Sequence, residues 1–422
     1  MEEVLVTNET TKSSDLDEFR ARARAWLLEN AVERTHEAAG WGVGSDDVSV
    51  FHNLSVDEES ALLQRAQSWQ QRKCDAGFAA LTWPVEFGGQ GLGPEFDDAY
   101  EHEEARFLTP ESHETFSVTK NLIAPTILLM GTDELRHRFV RQFLRTEVLC
   151  AQLFSEPGSG SDLASLSTRA ERDGDSWVIN GQKVWSSGAQ FATWGELITR
   201  TDPDVVKHAG MTAFIVPMDA AGIEIRPIGQ MSGGASFCEV FFNDVRIPDS
   251  LRLGDVGDGW KVTLTTLGFE RGNATRMQRI GGGWRQIRAL AEHLGRTDEP
   301  LIRRQLMQVY IGQRIGELSA LRIETETRRK GAPGPEGSIS KLAWTQQLER
   351  VSHMATSLLG PKLVADTGEW GTYAWTEHLL GAPGYRIAGG SDEIQRNIIG
   401  ERVLGLPAEP RSDRGPWRDL PR

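Results

Sequence analysis

From residue 15 onward, apolar side chains return every three or four positions. Leu16, Phe19, Ala23 and Trp26 share one face, and Leu62, Ala66 and Trp69 mark a second such stripe, so both segments are predicted amphipathic helices. Helical patterns continue over residues 96–107, 117–130 and 133–145, with a stop at Gly131 between the last two. Residues 1–14 are polar and predicted to be disordered or loosely docked. Residues 38–53, rich in Gly, Ser and Asp, read as a loop. Residues 77–91, dense in Pro and Gly, read as a structured turn region. After residue 151 the period shortens. Short β-prone runs at 176–179, 195–200, 211–216, 223–226 and 238–245 are separated by turn residues at 202–203, 219–222 and 232–235, the pattern of a small barrel or sandwich. Beyond Gly254-Asp-Val-Gly-Asp-Gly259 the helical period returns. Trp260, Leu264, Leu267, Ala274, Met277, Ile280, Trp284, Ile287 and Leu294 predict one long buried helix running through Gly281–Gly283. Helices at 301–329, 339–359 and 392–404 complete a bundle, with a Gly/Pro break at 331–337 and an extended Pro- and Arg-rich tail. The expected class is α+β: an N-terminal helical domain (1–150), a middle β-domain (151–255) and a C-terminal helical bundle (256–422).

Composition changes this picture mainly by exclusion. A chain of 422 residues with 25% charged and 39% apolar residues is long enough for two or three domains and falls near globular norms. The net charge of −14 argues against non-specific nucleic-acid binding and offers no attraction to an anionic membrane. No apolar run approaches the ~20 residues of a membrane span, and the longest candidate, 121–130, contains Pro125. The acidic N-terminal stretch lacks the basic-then-apolar order of a signal peptide, so a cytoplasmic location is expected. Cys74, Cys150 and Cys238 form no CxxC pair and no metal spacing; reduced thiols and no metal are expected. Walker and G-x-S-x-G sequences are absent, and Gly281–Gly283 lies within a helical pattern rather than after a strand, so it is no dinucleotide fingerprint.

Candidate chemistry concentrates between residues 153 and 188. Leu-Phe-Ser-Glu-Pro-Gly-Ser-Gly-Ser-Asp (153–162) is short of bulky side chains, which lets backbone N–H groups and hydroxyls approach a flat polar or phosphorylated ligand. Lys-Val-Trp-Ser-Ser-Gly (183–188) sets a tryptophan beside two hydroxyls, suited to stacking on an aromatic ring while bonding its edge. Asp173-Gly174 and Asn180-Gly181 read as hairpin turns between them. A Gly/Ser surface loop beside a hairpin is the plain alternative for either segment alone. Together they resemble the flavin-binding core of the acyl-CoA dehydrogenase family. The resemblance extends to Trp83-Pro-Val-Glu-Phe-Gly-Gly89, to the domain order and to Gly389-Gly-Ser-Asp-Glu-Ile-Gln-Arg396, and so covers nearly the whole chain. It implies non-covalent FAD, with Gln152, Phe154, Ser155, Gly158, Gly160, Ser161, Trp185, Ser186 and Ser187 around the flavin. It further implies Ser391, Asp392 and Glu393 at the pyrophosphate, beside a helix N-terminus, and Arg296 reaching a neighbouring subunit's flavin. The Phe-Gly that usually follows that arginine is absent here, and Leu359-Gly360-Pro361 stands where Gly-Gly is usual.

Glu270 lies between Leu267 and Ala274 on the inward stripe, where a carboxylate is costly unless it is paired or its pKa rises. From the residues alone, a salt bridge within the bundle and a catalytic carboxylate are comparable readings. Most of the family holds its catalytic glutamate at the position of Gly389. The isovaleryl- and long-chain-type members instead place it on the helix after the middle domain, immediately before an arginine, as in Phe269-Glu270-Arg271. The resemblance therefore assigns Glu270 as the base that removes the α-proton while hydride passes from the β-carbon to flavin N5. It keeps the Gly389 N–H as donor to the thioester carbonyl. It places Ser161, Arg271 and Gly390 near the substrate. It implies an electron-transfer flavoprotein or similar acceptor, and a dimer, a homo-tetramer or a heteromer with a related chain. Two other functions remain: a same-fold flavin monooxygenase or oxidase, and a non-catalytic subunit of a heteromeric dehydrogenase.

Overall fold

Ser55 shows how the first part of the chain is organised. Its hydroxyl accepts the Glu58 N–H while the Glu58 carboxylate accepts the Ser55 N–H, a capping box that starts helix α2 (Val56–Asp75). The computed structural model describes residues 2–34, 48–51, 53–272, 280–330, 334–365, 367–369, 371–410 and 413–420, with side chains from residue 15 apart from those of 271, 272 and 328. Helix α1 (Glu2–Asn30) runs well ahead of the apolar period that predicted it, and buries Phe19, Ala23 and Leu27. Helix α3 (Pro94–Glu104) follows the turn region, and α4 (Glu114–Ser117) continues through a π-helical stretch (Val118–Ile123) into α5 (Ala124–Met130). Pro125 stands in the first turn of α5, where the wider π turn tolerates its missing N–H. Helix α6 (Asp133–Leu144) begins at the Thr132 cap.

Two-residue strands β1 (Val32–Glu33) and β2 (Phe107–Leu108) pair with each other. The main sheet has eight strands: β3 (Cys150–Leu153), β4 (Arg169–Asp173), β5 (Ser176–Ser187), β6 (Trp194–Arg200), β7 (Met211–Pro217), β8 (Ile223–Ile228), β9 (Phe237–Pro248) and β10 (Arg252–Leu253). Their order is β10-β7-β6-β4-β5-β9-β8, with β3 parallel to β6. One face gathers Leu153, Trp177, Leu197, Phe214, Val240 and Phe242 into the middle domain's own core. The other face of β3, β6 and β7, through Cys150, Ile198 and Ile215, packs against Ile123, Ile127, Phe139 and Val262 of the helices. Strict alternation along these strands is what lets one sheet serve two cores. Asp173-Gly174 is a tight turn between β4 and β5, but Asn180-Gly181 is not. It lies inside the twelve-residue β5, where the register with β9 slips by one. A Cβ on Gly181 would sit 2.6 Å from the Thr168 Cα, so the glycine marks a bulge under close packing rather than a reversal.

Helix α7 (Gly259–Gly272) leads into the bundle, but the predicted single helix through residue 294 is broken. Gly281 and Gly282 have φ of +80° and +67°, and α8 (Trp284–His293) starts afresh after them. Cβ atoms there would press on Leu348 and Val48, so the turn needs glycine twice over, for backbone hand and for space. Ala274 and Met277 lie outside the described residues. Helices α9 (Pro300–Lys330), α10 (Gly337–Leu359), α11 (Thr372–Tyr385) and α12 (Asp392–Ile398) complete the bundle. Its core is Ile287, Leu290, Val309, Val351, Ala355 and Trp375. The tail is extended yet docked on the β-domain. Pro416 bridges to Val206, the Trp417 indole N–H donates to the Ser165 carbonyl at 3.3 Å, and the Lys207 ammonium lies between Asp413 (2.5 Å) and Asp162 (2.8 Å).

Candidate active site

The loop after β3 is held from beneath by a buried ion pair. Lys183 of β5 is fully buried and donates to the Phe154 carbonyl (3.0 Å) and to Glu156 Oε1 (2.8 Å). Glu156 also accepts the backbone N–H groups of Ser167 (2.7 Å) and Thr168 (2.9 Å). Burial pushes the Glu156 carboxyl up, but Lys183 and these donors outweigh it and hold its pKa below the usual value. Burial lowers that of Lys183 against the attraction of Glu156. With its base pinned, the loop presents Gly158, Gly160 and Ser161 outward. Cβ atoms built on the two glycines would meet nothing within 4 Å, so open space stands over them. Phe154 is buried in the core and Ser155 accepts the Val184 N–H through its carbonyl. The sequence reading missed the pair; its signal was a Glu and a Lys inside two otherwise small or apolar motifs.

Next along β5, one extra residue opposes β9 between Lys183 and Ser186. This bulge turns Trp185 out of the ladder with φ +61°, leaving its side chain 61% exposed. A non-glycine residue held in that region is strained, and such strain gathers where ligands bind. Beside it the Ser186 hydroxyl is buried with no hydrogen-bond partner among the described residues. Ser187 is hydrogen-bonded to Glu114, whose pKa is raised chiefly by burial.

In the helical bundle, α7 and the turn before α12 bring Glu270 and Gly389 together. A Cβ on Gly389 would stand 2.8 Å from Glu270 Oε1, so this carboxylate occupies the place from which a side chain at 389 would extend. Gly389 and Gly390 have φ of +65° and +84°. The turn is fixed by Gln395, whose amide donates to both glycine carbonyls (2.9 and 3.1 Å), and by Lys341, which donates to that of Gly390 (2.8 Å). Burial lowers the Lys341 pKa against the pull of Asp392 and Glu270. Tyr385 is the other neighbour: burial, then the charges of Glu114 and Glu270, push its phenol well above the usual range. Phe51 stacks on Tyr385 (4.9 Å between centroids) and meets Phe237 edge-on (5.3 Å), which in turn lies 6.3 Å from Trp185. An aromatic row thus runs from the Trp185 bulge of β5 to Tyr385, which feels the charge of Glu270.

Other predicted site residues fall differently. Ser391 caps α12 by accepting the Ile394 N–H, and Glu393 pairs with Arg396 in the same first turns. Asp392 is buried and committed to Thr345 (2.9 Å) and Arg386 (2.9 Å). Gln152 is half-buried on β3 with its Nε2 unpartnered. Arg296 is engaged within its own chain, by Glu299 and by the carbonyls of Ser357 and Leu358 at the end of α10. Those carbonyls lie sixteen residues along α10 from Lys341, or roughly 24 Å, so Arg296 stands at the opposite end of the bundle from Glu270. The Arg271 side chain lies outside the described residues. A surface cleft of about 560 Å³ beside α1 and α2, lined by Arg65, Trp69 and Arg72, shares no residue with this site. Among the described residues no His, Cys, Asp and Glu group is arranged to hold a metal, and no helix is long and apolar enough to cross a membrane.

The exposed Trp185 face, the orphaned Ser186 hydroxyl and the open space above Gly158 and Gly160 fit a flat, hydrogen-bonding ring system such as the isoalloxazine of FAD. Residues 52–147, 151–245 and 257–404 match the N-terminal, middle and C-terminal domains of acyl-CoA dehydrogenase. The chain is 39% identical over 399 residues to acyl-CoA dehydrogenase IpdE1 of Mycobacterium tuberculosis, covering 94% of this chain and 99% of that one. It is 30% identical to the human mitochondrial short-chain specific acyl-CoA dehydrogenase, over 78% of this chain and 80% of the other. Among solved structures, the Tcur3481-Tcur3483 steroid ACAD superposes with a TM-score of 0.73 at 27% identity, covering 94% and 98% of the two chains. The ChsE4-ChsE5 complex from Mycobacterium tuberculosis gives 0.70 at 26%, again covering 94% and 98%. The three domains and these relatives agree: the chain belongs to the acyl-CoA dehydrogenase family and is an FAD-dependent acyl-CoA dehydrogenase.

Proposed function

We propose that Glu270 is the base that removes the α-proton of the acyl-CoA thioester. The observation that carries this is the 2.8 Å approach of its Oε1 to the Cβ position of Gly389, the point from which most of the family extends its glutamate. FAD, when bound, supplies the acceptor for the β-hydride, so that the thioester leaves as its α,β-unsaturated product. The chain's own contribution is positional. Lys341 and Gln395 hold the carbonyls of Gly389 and Gly390 inward, which leaves the Gly389 N–H to donate to the thioester carbonyl as negative charge develops there. Phe51, Tyr385 and Phe237 keep water from the space beside the carboxylate. Ser161 and Gly390 remain the proposed substrate contacts, together with Arg271 toward the CoA portion. The working domain limits are 1–150, 151–255 and 256–422.

The test is anaerobic reduction of the bound FAD by a panel of CoA thioesters, straight-chain, branched and steroid-derived, the last included because one solved relative is a steroid enzyme. Glu270→Gln keeps shape but removes the basic oxygen. General-base catalysis is worth ~10²–10⁴ in rate, so flavin reduction falls by that factor while FAD content stays. Reduction at the wild-type rate would remove Glu270 from the mechanism.

For assembly, α9 leaves Leu301, Ile311, Ile315, Leu318 and Leu321 exposed at helical spacing, a face suited to a second copy or a related chain. The solved relatives named above are two-component assemblies by title, which favours a heteromer among the oligomers open to this chain. Sedimentation of the FAD-loaded protein alone, and after co-expression with a related chain, separates the cases. An electron-transfer flavoprotein is the proposed acceptor. Three free thiols, two of them buried, suit a cytoplasmic location.

A further inference from the structure

Glu196 of β6 is fully buried between the sheet and the helices, on the face that packs against them. Its Oε1 lies 2.7 Å from the Thr266 hydroxyl of α7, and Thr266 lies 3.0 Å from the Thr126 hydroxyl of α5. Thr126 in turn donates its hydrogen to the Leu122 carbonyl at 2.7 Å. Each threonine hydroxyl has one hydrogen to give. Because Thr126 has spent its own on Leu122, the Thr126–Thr266 contact takes its hydrogen from Thr266, on which the Val262 carbonyl, 3.3 Å from the same hydroxyl, also draws. Thr266 then has none left for Glu196, so the 2.7 Å contact requires the carboxyl to donate. Counting hydrogens along the chain therefore makes Glu196 a neutral acid.

We propose that Glu196 is a positioning residue for the catalytic helix: in its neutral form it donates the first of three hydroxyl hydrogen bonds that tie α7, one turn before Glu270, to α5. The chain joins the middle domain (Glu196), the C-terminal domain (Thr266) and the N-terminal domain (Thr126). Linear hydroxyl chains polarise one another in a buried setting, so the bonds act as a unit. Burial pushes the Glu196 carboxyl up to about 8, so it is protonated at neutral pH, as the hydrogen count requires. Among the described residues the neighbouring elements set no opposing charge against it. From β3 it faces Cys150, whose thiol burial and Glu196 both push well up, and Gln152, level with it in register, whose Nε2 has no partner. From α5 and α7 it faces the two threonines, and from β7 the apolar Ile215. The remaining oxygen, Oε2, has no partner either, and loss of the proton would leave two charged oxygens facing one hydroxyl donor. The chain would then reverse at Thr266 and release Thr126.

The assignment of α7 as the catalytic helix rests on Glu270 being the base, but the test does not use turnover. Amide hydrogen exchange of residues 259–272 is measured in the FAD-loaded protein at pH 7 and pH 9.5, corrected for intrinsic rates, with residues 337–359 as internal reference. In the wild type, α7 exchanges about fivefold faster at the higher pH, the net worth of one lost hydrogen bond, while the reference does not change. Glu196→Gln, whose amide donates at every pH, stays slow at both. Thr266→Val is fast at both. A pH-independent wild type overturns the proposal, as does a Gln variant with the wild-type rise. Should Thr266→Val fail to fold, the wild-type and Gln proteins decide the matter alone. Loss of the Glu270 assignment through an active Glu270→Gln variant would leave the exchange result standing, and a negative exchange result would leave Glu270 as base.

Discussion

Gly389→Ala is the smallest change that tests the juxtaposition of Glu270 and the Gly389 turn. The new methyl would lie 2.8 Å from Glu270 Oε1 and 3.9 Å from its carboxyl carbon. To regain ordinary contact the carboxylate must retreat by roughly 0.6 Å. Backbone at φ +65° adds ~1–2 kcal/mol of strain for an L side chain, a modest part of the ~5–15 kcal/mol that holds a protein together. The variant is therefore expected to fold, to keep its FAD and to melt only a few degrees lower. Since a 1 Å misplacement at a reacting centre costs about 10²-fold, a retreat of this size should slow flavin reduction about tenfold. The assay is anaerobic stopped-flow bleaching of the flavin with the best thioester of the panel, read beside FAD content and thermal melting. Wild-type bleaching with normal FAD content would mean that the oxygen beside Gly389 is not where the α-proton goes. The converse follows from the same distance. Gly389→Glu alone crowds Glu270, whereas Glu270→Gly combined with Gly389→Glu clears the space, so the double variant should retain more activity than Gly389→Glu combined with Glu270→Gln.

Two further outcomes concern stability. Lys183→Met leaves Glu156 buried without its cation, and breaking such a pair typically costs ~3–5 kcal/mol, measurable by chemical denaturation of the FAD-loaded protein; adding Glu156→Gln should restore part of the loss. His378 is buried between the Val48 and Leu348 carbonyls, and burial holds its pKa below the usual imidazole value. The unfolded chain therefore takes up the proton first, so this stabilisation is present above the ordinary histidine pKa of about 6.5 and is lost as pH falls through the depressed value. Melting temperature should drop between pH 7.5 and pH 5, with a shallower fall in His378→Gln; equal slopes would show that the ring does not titrate on unfolding.

What the sequence made legible depended on how local each signal was. The stripe of Leu62, Ala66 and Trp69 and the strand at 211–216 carry their own period, and both elements formed where that period placed them. Strands β3 and β4 have no comparable signal. Cys150–Leu153 is short, and Arg169–Asp173 is charged except for Ala170; they pair because β6 and β5 are already beside them. Asn180-Gly181 carries a turn signal but was overruled by pairing with β9 on both sides of it along the twelve-residue β5. The apolar stripe through residue 294 was overruled by Gly281 and Gly282, whose backbone hand periodicity does not register. Within the site, Glu270 was visible as a carboxylate on an inward face. Lys183, Lys341, Tyr385 and Phe51 were not, because each matters through a partner between 27 and several hundred positions away. Arg296 was singled out by its place in a motif as reaching a neighbouring subunit's flavin; within its own chain it donates to the carbonyls at the end of α10, which no local pattern announced.

The docked tail has a consequence in time. Ser165, just past the loop that follows β3, is tied to Trp417, 252 residues later, and Asp162 shares Lys207 with Asp413. At ribosomal speeds of ~5–20 residues per second, those partners emerge roughly 13–50 s after the loop itself. Until then the loop has its Lys183 floor but not its outer brace, so the two halves of its support are completed at different times.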